Sequence, residues 1–594
     1  MSNPFGQISR IGELKTPLGK DALVLTRFSG REQMSAPFEF QVEALHAQER
    51  DRTISFDGAL GKNCTVTLTS GREMRFFVGT LAEARRLEPA GDGALYSLVL
   101  RPWLWMLTKR VNSRIFHKMT VTDIIGDVFS RQGGLADHEI RTSRNYPTLE
   151  YCVQHNESDF AFVSRLMEAH GIGYYFKFAD DKQTMVLSDS RSSYDNAPGG
   201  KRVFQQMANE YAEFFTDWRG ERRFTTGKAT LTDYNFKAPR SNLRVSKQGD
   251  ARHENAQLET YLHPGKYKTA DEGKVYAEAL IDAARAEDGR FLATGVTPGL
   301  FPGSVMQFAG HPENGEYLVL ECKHNFYGQA YRSEDEEPAP DEYHGEYVLL
   351  PAATAYAPPI ATPKPVIAGP QTAVVVSECD EYGRIKVRFH WGNSNTAEES
   401  MWCRIAQSWA GAGWGAVFLP RIDMEVLVEF IDGDPDQPIV TGSVYNANNM
   451  PPYPLPDKQS ISGFKSQTMQ GSGYNEFIMD DAAGSELVRL HAQKDMEGEI
   501  VHDRTVKIGN DDTLTIDNDL RIKALNNITI EANNSITLKV GGNTIVIDKT
   551  GISVKSTLSV TVEADTEIKT TGKALATHEG LGLMTIKGGL VKIN

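Results

Sequence analysis

Four acidic residues, Glu476, Asp480, Asp481 and Glu486, lie close together in the sequence. Two carboxylates held on either side of a glycosidic bond could act as acid and nucleophile. These four fall in strand-and-turn texture within residues 451–505, where acids at turns stay solvated, and we read them that way. His155, Glu157 and Asp159 carry the residue types of a metal or acid–base site. A helical pattern starting near Asn156 accounts for the two acids more simply, because carboxylates at a helix start interact favourably with its dipole. His390 alternates with Phe389 in a strand-like run and reads as structural. No HExxH, GxSxG or Walker sequence is present, and GALGK at 58–62 is too short for a phosphate loop. Cys64, Cys152, Cys322, Cys379 and Cys403 are scattered and odd in number, without a CxxC, and read as reduced thiols. The residues predict no catalytic site, no metal site and no cofactor.

Chain totals bound the remaining classes. The 594 residues exceed one typical domain, and 40% of them are hydrophobic, so several buried cores are expected. A net charge of -15 argues against nucleic acid and anionic lipid, both of which select basic faces. The N-terminal MSNPFGQISRIGELK lacks the apolar run of a secretory signal, and no segment is apolar for long enough to span a membrane. We expect synthesis and folding in the cytoplasm, with any export bypassing the general secretion route.

Residues 1–332 mix strand-like runs (ALVLTRFSG, CTVTLTS, YSLVLRPWLWML, EYLVLECKHNF) with three helical patterns, which predicts an α+β domain. The first helix follows Thr122 as N-cap and carries Ile124, Ile125, Val128 and Phe129. The second starts near Asn156, carries Phe160, Val163, Leu166 and Met167, and ends at Gly171. The third runs from about Asp271 to Glu287, with Val275, Ala279, Leu280 and Ala283 inward. SEDEEPAPDE and YAPPIATPKP are too acidic or proline-rich for element interiors, so 333–370 reads as an extended connector. Residues 371–450 turn all-β, with TAVVVSE, GRIKVRFHW, WCRIAQSWAG, AVFLPR, EVLVEFIDG and PIVTGSVYN as the short strands of a small barrel. A transition follows over 451–505.

An octad repeat occupies 506–579. Leu514, Ile522, Ile530, Leu538, Val546, Val554 and Val562 recur every eighth residue, flanked two positions away by further, partly apolar rows. Alternate residues of each octad therefore share a face, as a strand's period of two requires. Asn510, Asn518, Asn526, Asn534 and Gly542 recur at the same interval and suit sharp corners. One such strand cannot bury its apolar face alone. Three strands around an axis can, either as a single-chain solenoid or as three intertwined chains. The repeat leaves both open.

Several motifs occur together and in order. GRIKVRFHW, QSWAGAGWGAVFLPR and DGDPDQPIVTGSVYN resemble the barrel of the VgrG spike proteins of type VI secretion systems, and TPKPVIAGPQTAVVV resembles the entry to it. QHNESDFAFVSRLMEAHGIGYYF and YLVLECKHNF are similar to the hub of that family. GYNEFIMDDAAGSELVRLHAQKD is similar to its transition into a needle. Gly392, where the family commonly carries Asp, and a short SECDEYGR are departures confined to one barrel loop.

The resemblance implies a multidomain fold: a phage hub-like domain, an OB-fold barrel, and a triple-stranded β-helix needle in a homotrimer, which favours the three-chain reading. It further implies a hub that caps a tube of Hcp hexamers, contacts to baseplate proteins, and a PAAR protein or adaptor with effector on the tip. Related phage spikes carry a lysozyme domain between barrel and needle, for which 451–505 is too short, or iron held by HxH ligands. His578 has no HxH partner. Past the last clear octad, residues 580–594 form the expected tip. There Leu581, Leu583, Met584, Ile586, Leu590, Val591 and Ile593 would dock the cargo. The expected function is a non-enzymatic puncturing spike. The alternatives are a phage or tailocin baseplate spike and an enzyme-bearing effector, the latter disfavoured by the lack of an appended catalytic domain.

Overall fold

The computed structural model describes residues 6–593, except 8–9, 47–53, 71–72, 91–92, 205–212, 251–252, 329–340 and 393–398. Most of SEDEEPAPDE therefore lies outside the described residues. The chain forms two units, Met1–Lys465 with Ile478–Arg489, and Ser466–Phe477 with Leu490–Asn594.

A 13-stranded sheet organises the hub in the first unit. Strand Ala36–His46 shows how the sequence builds it: Phe38, Phe40, Val42 and Ala44 are buried, while Glu39, Gln41 and Glu43 take the opposite face. Gly93–Arg101 repeats the pattern with Ala94, Tyr96, Leu98 and Leu100. Phe38 and Phe40 stack at 4.4 Å, and Phe28 meets Phe77 at 4.8 Å. Helices Val121–Ser130 and Asp159–Ala169 close this core with Ile124, Ile125, Phe129, Phe162 and Val163.

Val24–Gln33 pairs antiparallel with Gly315–Tyr327 and joins the two halves of the sheet. The buried Glu32 carboxylate accepts from Arg75 at 3.0 and 3.1 Å and lies 2.9 Å from His324 Nε2. Nδ1 of His324 lies 2.6 Å from the Tyr343 hydroxyl. Burial pushes Glu32 up, but Arg75 and His324 more than offset it and hold the carboxyl below its usual range. Burial holds His324 below its ordinary value despite Glu32.

Several boundaries differ from expectation for identifiable reasons. The first helix is capped by Thr120, not Thr122. Thr120 and Asp123 form a reciprocal capping box that sets the start two residues earlier. The third helix, Ala270–Arg285, has the same device in Thr269 and Glu272 and buries Ala277, Ala279, Ile281 and Ala283. Val275 and Leu280 are only half-buried. In the second helix Phe162 replaces Phe160 on the buried face, and Gly171 adopts φ +67° just past its end. The run YSLVLRPWLWML is strand only to Arg101, because Pro102 has no N–H for the ladder and instead caps the turn Trp103–Met106. The connector expected over 333–370 is partly sheet: Glu342–Pro351 is a full strand between Gly315–Tyr327 and Arg290–Val296. Its alternating burial, including Tyr347 and Leu349, outweighs the nearby prolines.

Five strands, Gln371–Val375, Ile385–Phe389, Ser400–Ile405, Glu425–Phe430 and Pro438–Val444, close the barrel. AVFLPR is not among them; Gln407 holds it as a loop through hydrogen bonds to both backbone groups of Phe418. The barrel core contains Val375, Val387, Phe389, Met401, Val426 and Val428. It also takes in Val153 from hub strand Leu149–Ser158.

That insertion is braced by charge. Asp436 accepts the Val153 N–H at 2.7 Å and Lys364 Nζ at 2.6 Å, while Asp434 also pairs with Lys364 and accepts the Asp436 N–H at 2.9 Å. Arg165 donates to the Val153 carbonyl at 2.9 Å and to Glu157 at 2.7 Å. Burial pushes Asp434 up, but Lys364 more than offsets it, so the carboxyl titrates below its usual range. The two aspartates likewise outweigh burial and raise Lys364.

Replacing Lys364 with Met strands two carboxylates and should destabilise the hub–barrel unit by about 3–5 kcal/mol in urea unfolding. Lys15→Ala, which removes the exposed Lys15–Asp180 pair, should cost under about 1 kcal/mol. The Asp434 contribution is complete above the ordinary carboxylate range and is lost as pH falls through its lowered value. The Lys364 contribution is lost only as pH rises through its raised value. The wild-type midpoint should therefore hold through neutral pH and drop below about pH 4, whereas the Lys364→Met midpoint should show less of that drop.

Candidate functional site

Several residues with chemical potential make structural contacts. Glu157 lies in the strand before the second helix, not in its first turn, and is buried against Arg165. Asp159 does open the helix, but its fully buried carboxylate accepts from Asn112 at 3.0 Å, Gln154 at 2.8 Å and Arg110. Ion pairing and hydrogen bonds, beyond the helix dipole, explain both acids. His155 meets the Trp391 ring edge-on at 5.4 Å, and burial lowers its pKa.

Among the acids of 451–505, Asp480 accepts from Ser460 at 2.6 Å and from the Ala482 N–H, and Glu486 accepts from the Gly484 N–H at 3.1 Å. Both close turns beside the three-stranded sheet Ile461–Lys465, Glu476–Asp480, Leu487–His491. Glu476 is buried and Asp481 exposed. His390 is exposed and meets Thr372 Oγ1 at 3.1 Å. Four cysteines are buried, and burial pushes the Cys64 and Cys152 thiols up to about 12, so they stay protonated and unreactive. Among the described residues no group of three or more His, Cys, Asp or Glu is placed to hold a metal ion.

The second unit is different: its conspicuous property is exposed apolar surface. Bends fall at 509–510, 517–518, 525–526 and 533–534, continue as turns at 541–542 and 549–550, and resume at 557–558, 565–566, 573–574, 581–582 and 589–590. The interval is eight throughout. Asn510, Asn518, Asn526, Asn534 and Gly542 each take the second corner position. Ser535–Val540, Asn543–Asp548 and Gly551–Lys555 pair as an antiparallel sheet. Leu514, Ile522, Ile530, Leu538, Val554 and Val562 are all exposed, Leu514 and Ile522 at 71%.

Val546 departs from its row. Pairing puts Leu538 opposite Ile545 and Ile545 opposite Val554, while Val546 lies against Thr537 and Ser553 on the other face. The two-residue turn at 541–542 sets this register within the single chain.

At the tip, Leu581, Leu583, Met584, Ile586, Leu590, Val591 and Ile593 are likewise exposed. The repeat does not stop near 580, as read from the sequence; the bends at 581–582 and 589–590 carry it onward. Glycines at 580, 582, 588 and 589 hide that continuation from an apolar count. His578 is exposed within one of these late rungs.

Lys364, Asp434 and Asp436 lie in TPKPVIAGPQTAVVV and DGDPDQPIVTGSVYN, whose resemblance to a family carries nothing about their pairing. The available signal was three acids crowded into one short loop with a lysine in the preceding proline-rich strap.

Comparison with known proteins follows the same division. Residues 31–330 match the phage tail baseplate hub (GPD) family. Residues 371–445 match the type VI secretion system/phage-baseplate injector OB domain, and 462–570 the bacteriophage T4 gp5 C-terminal trimerisation domain. The chain is 36% identical over 524 residues to the type VI secretion system spike protein VgrG1b of Pseudomonas aeruginosa, covering 85% of this chain and 70% of that protein. VgrG1a of the same organism is 35% identical over 523 residues, covering 85% and 80%.

Two solved structures share the fold. The E. coli c3393 protein, described as a type VI secretion component similar to T4 tail proteins gp27 and gp5, has a TM-score of 0.53 at 19% identity, over 73% of this chain and 100% of that one. A chain of the PdpA–VgrG complex in its lidless form gives 0.53 at 10% identity, over 89% and 93%. With hub, OB barrel and trimerisation domain in this order, and identity spread over most of both proteins, the chain belongs to the VgrG spike protein family of type VI secretion systems.

Proposed function

We propose that three copies of this chain wind residues 503–594 into a β-helical needle that acts mechanically, without catalysis, as a puncturing spike. One observation carries the reading: apolar rows repeat every eight residues on a backbone cornered every eight residues, and a single chain leaves them in water. Burying each such Leu, Ile or Val contributes ~1.5–3 kcal/mol, and a threefold arrangement collects that gain on every rung. The match to a trimerisation domain over 462–570 supports the same stoichiometry.

In this reading the hub end caps a tube of Hcp hexamers within a baseplate, and the tip carries a PAAR protein or an adaptor with effector. In this reading the protein waits in the cytoplasm before it is injected. A structural neighbour solved as a PdpA–VgrG complex is consistent with spikes of this fold binding partners. The exposed apolar side chains of 581–593, with strand edges from three chains, offer a partner on the axis both a small core and backbone hydrogen bonds.

Light scattering of the full chain should give three times the 65.8 kDa chain mass, and a folded monomer contradicts the reading. Ile530→Asp should dissociate the trimer, since it buries three unpaired charges around one axis at several kcal/mol each. If the turn-set register persists in the assembly, Ile545→Asp should be as damaging and Val546→Asp tolerated by the same measurement. Deleting 580–594 should leave the trimer mass unchanged per chain count but abolish pull-down of a PAAR-like protein or adaptor–effector complex. Full-strength binding by the truncated trimer places the docking site elsewhere.

A further inference from the structure

Apolar rows that repeat every eight residues leave one thing open. Each octad offers the same face, so a slip of one octad between copies keeps every apolar row inward, and hydrophobic burial alone specifies the register weakly. The outward side chains are not uniform in this way. One residue after each member of the apolar row, and so on the other face of an extended octad, runs a second row at the same interval, from Lys507 to Lys587. Its members are all exposed, and Thr515, Ile547 and Thr571 fill the uncharged places.

The charges in this row are ordered. At a separation of one octad every charged pair is opposite: Lys523 with Glu531, Glu531 with Lys539, Lys555 with Glu563, and Glu579 with Lys587. At two octads every charged pair is alike: Lys507 with Lys523, Lys523 with Lys539, Lys539 with Lys555, and Glu563 with Glu579. A single chain does not use this order. In the sheet over Ser535–Lys555, Lys539 and Lys555 lie on either side of Thr544, and neither lies opposite a glutamate of the row.

Three copies around a threefold axis would use it. At one level of a triangular prism the copies lay the same octad on three different faces, and at the next level each has moved round by one face. On any face, an octad therefore lies beside the following octad of a different copy, and both run in the same direction. Each residue then faces the residue eight positions on in its neighbour. Adjacent strands are about 4.8 Å apart, within reach for lysine and glutamate to pair and for like charges to repel.

We infer that this outward row is an ion ladder between copies that selects their stagger. The ladder rests on the three-chain reading above and adds what sets its register. A stagger of one octad collects the four opposite pairs and no like pair. A stagger of two octads collects the four like pairs and no opposite pair, and in-register stacking sets every charge of the row against itself. Exposed ion pairs contribute little stability one at a time. Their effect here is on the choice between arrangements that bury the same apolar rows.

The test uses the full-length trimer, its mass confirmed by light scattering. Glu531→Lys turns the run at 523, 531 and 539 all positive. It should lower the trimer melting temperature by at least about 5 °C at low salt, and about 1 M NaCl should remove most of that loss. Lys523→Glu with Glu531→Lys and Lys539→Glu restores opposite neighbours and should recover most of the wild-type melting temperature. The stagger is read by oxidation in a Cys379→Ser background, which removes the exposed native thiol. Lys523→Cys with Glu531→Cys should yield a covalent trimer on a non-reducing denaturing gel, whereas Lys523→Cys with Lys539→Cys should not. A confirmed trimer that is linked by the second pair, or not by the first, overturns the ladder and leaves the needle reading standing. So does a trimer whose melting is unmoved by Glu531→Lys. A wild-type chain that is monomeric overturns both.

Discussion

The alternation of apolar and polar side chains along a β-strand, repeated on a backbone that turns every eight residues, is the constraint on which the C-terminal unit depends. A strand segment of this kind has one apolar face and two open edges. Among the described octad residues only Ser535–Lys555 pair as a sheet, and even there Ile545, Ile547 and Val554 remain exposed. The first unit is the opposite case, since its aromatic rows at Phe38, Phe40 and Phe77 are sealed by helices and neighbouring strands. Assembly with other copies offers the second unit a route to remove its apolar rows from water, and residues 462–570 match a trimerisation domain.

Rigidity in the first unit has a different source. Hub and barrel meet where Val153 enters the barrel core, with Ile115 and Tyr151 packed beside it and charged side chains bound to both backbone groups of Val153. Those charges would be a liability if left unpaired. Here Lys364 is shared by Asp434 and Asp436, and Arg165 by Glu157 and the Val153 carbonyl. A second buried group, Glu32 with Arg75 and His324, sits on the seam between the two halves of the hub sheet. Such networks add little net stability over apolar packing, but any broken member is heavily penalised, so they select a single arrangement of the parts.

Residues that look chemical in the sequence are engaged by structural partners. Glu157, Asp159, Asp480 and Glu486 each accept from an arginine, a side-chain amide, a serine hydroxyl or a turn N–H. In each case the partner comes from residues distant enough in sequence, or hidden enough in a turn, to escape a motif search.

Much of the architecture was legible in the amino-acid order because it is written in local periodicity. Alternation marks Ala36–His46 and the barrel strands, the corner residues Asn510 to Gly542 mark the eight-residue bends, and Gly171 marks a helix end. Periodicity says which residues share a face, but not where a competing local interaction moves a boundary. Tertiary structure alone decided that Thr120 rather than Thr122 caps a helix and that Pro102 turns a strand into a helix. It also decided that Glu342–Pro351 joins the hub sheet and that the 541–542 turn sends Val546 to the opposite face. It alone brought Lys364 to Asp436 and Phe418 to Phe464. Those pairings are long-range, and their energy depends on burial and distance, which a linear order of residues does not contain.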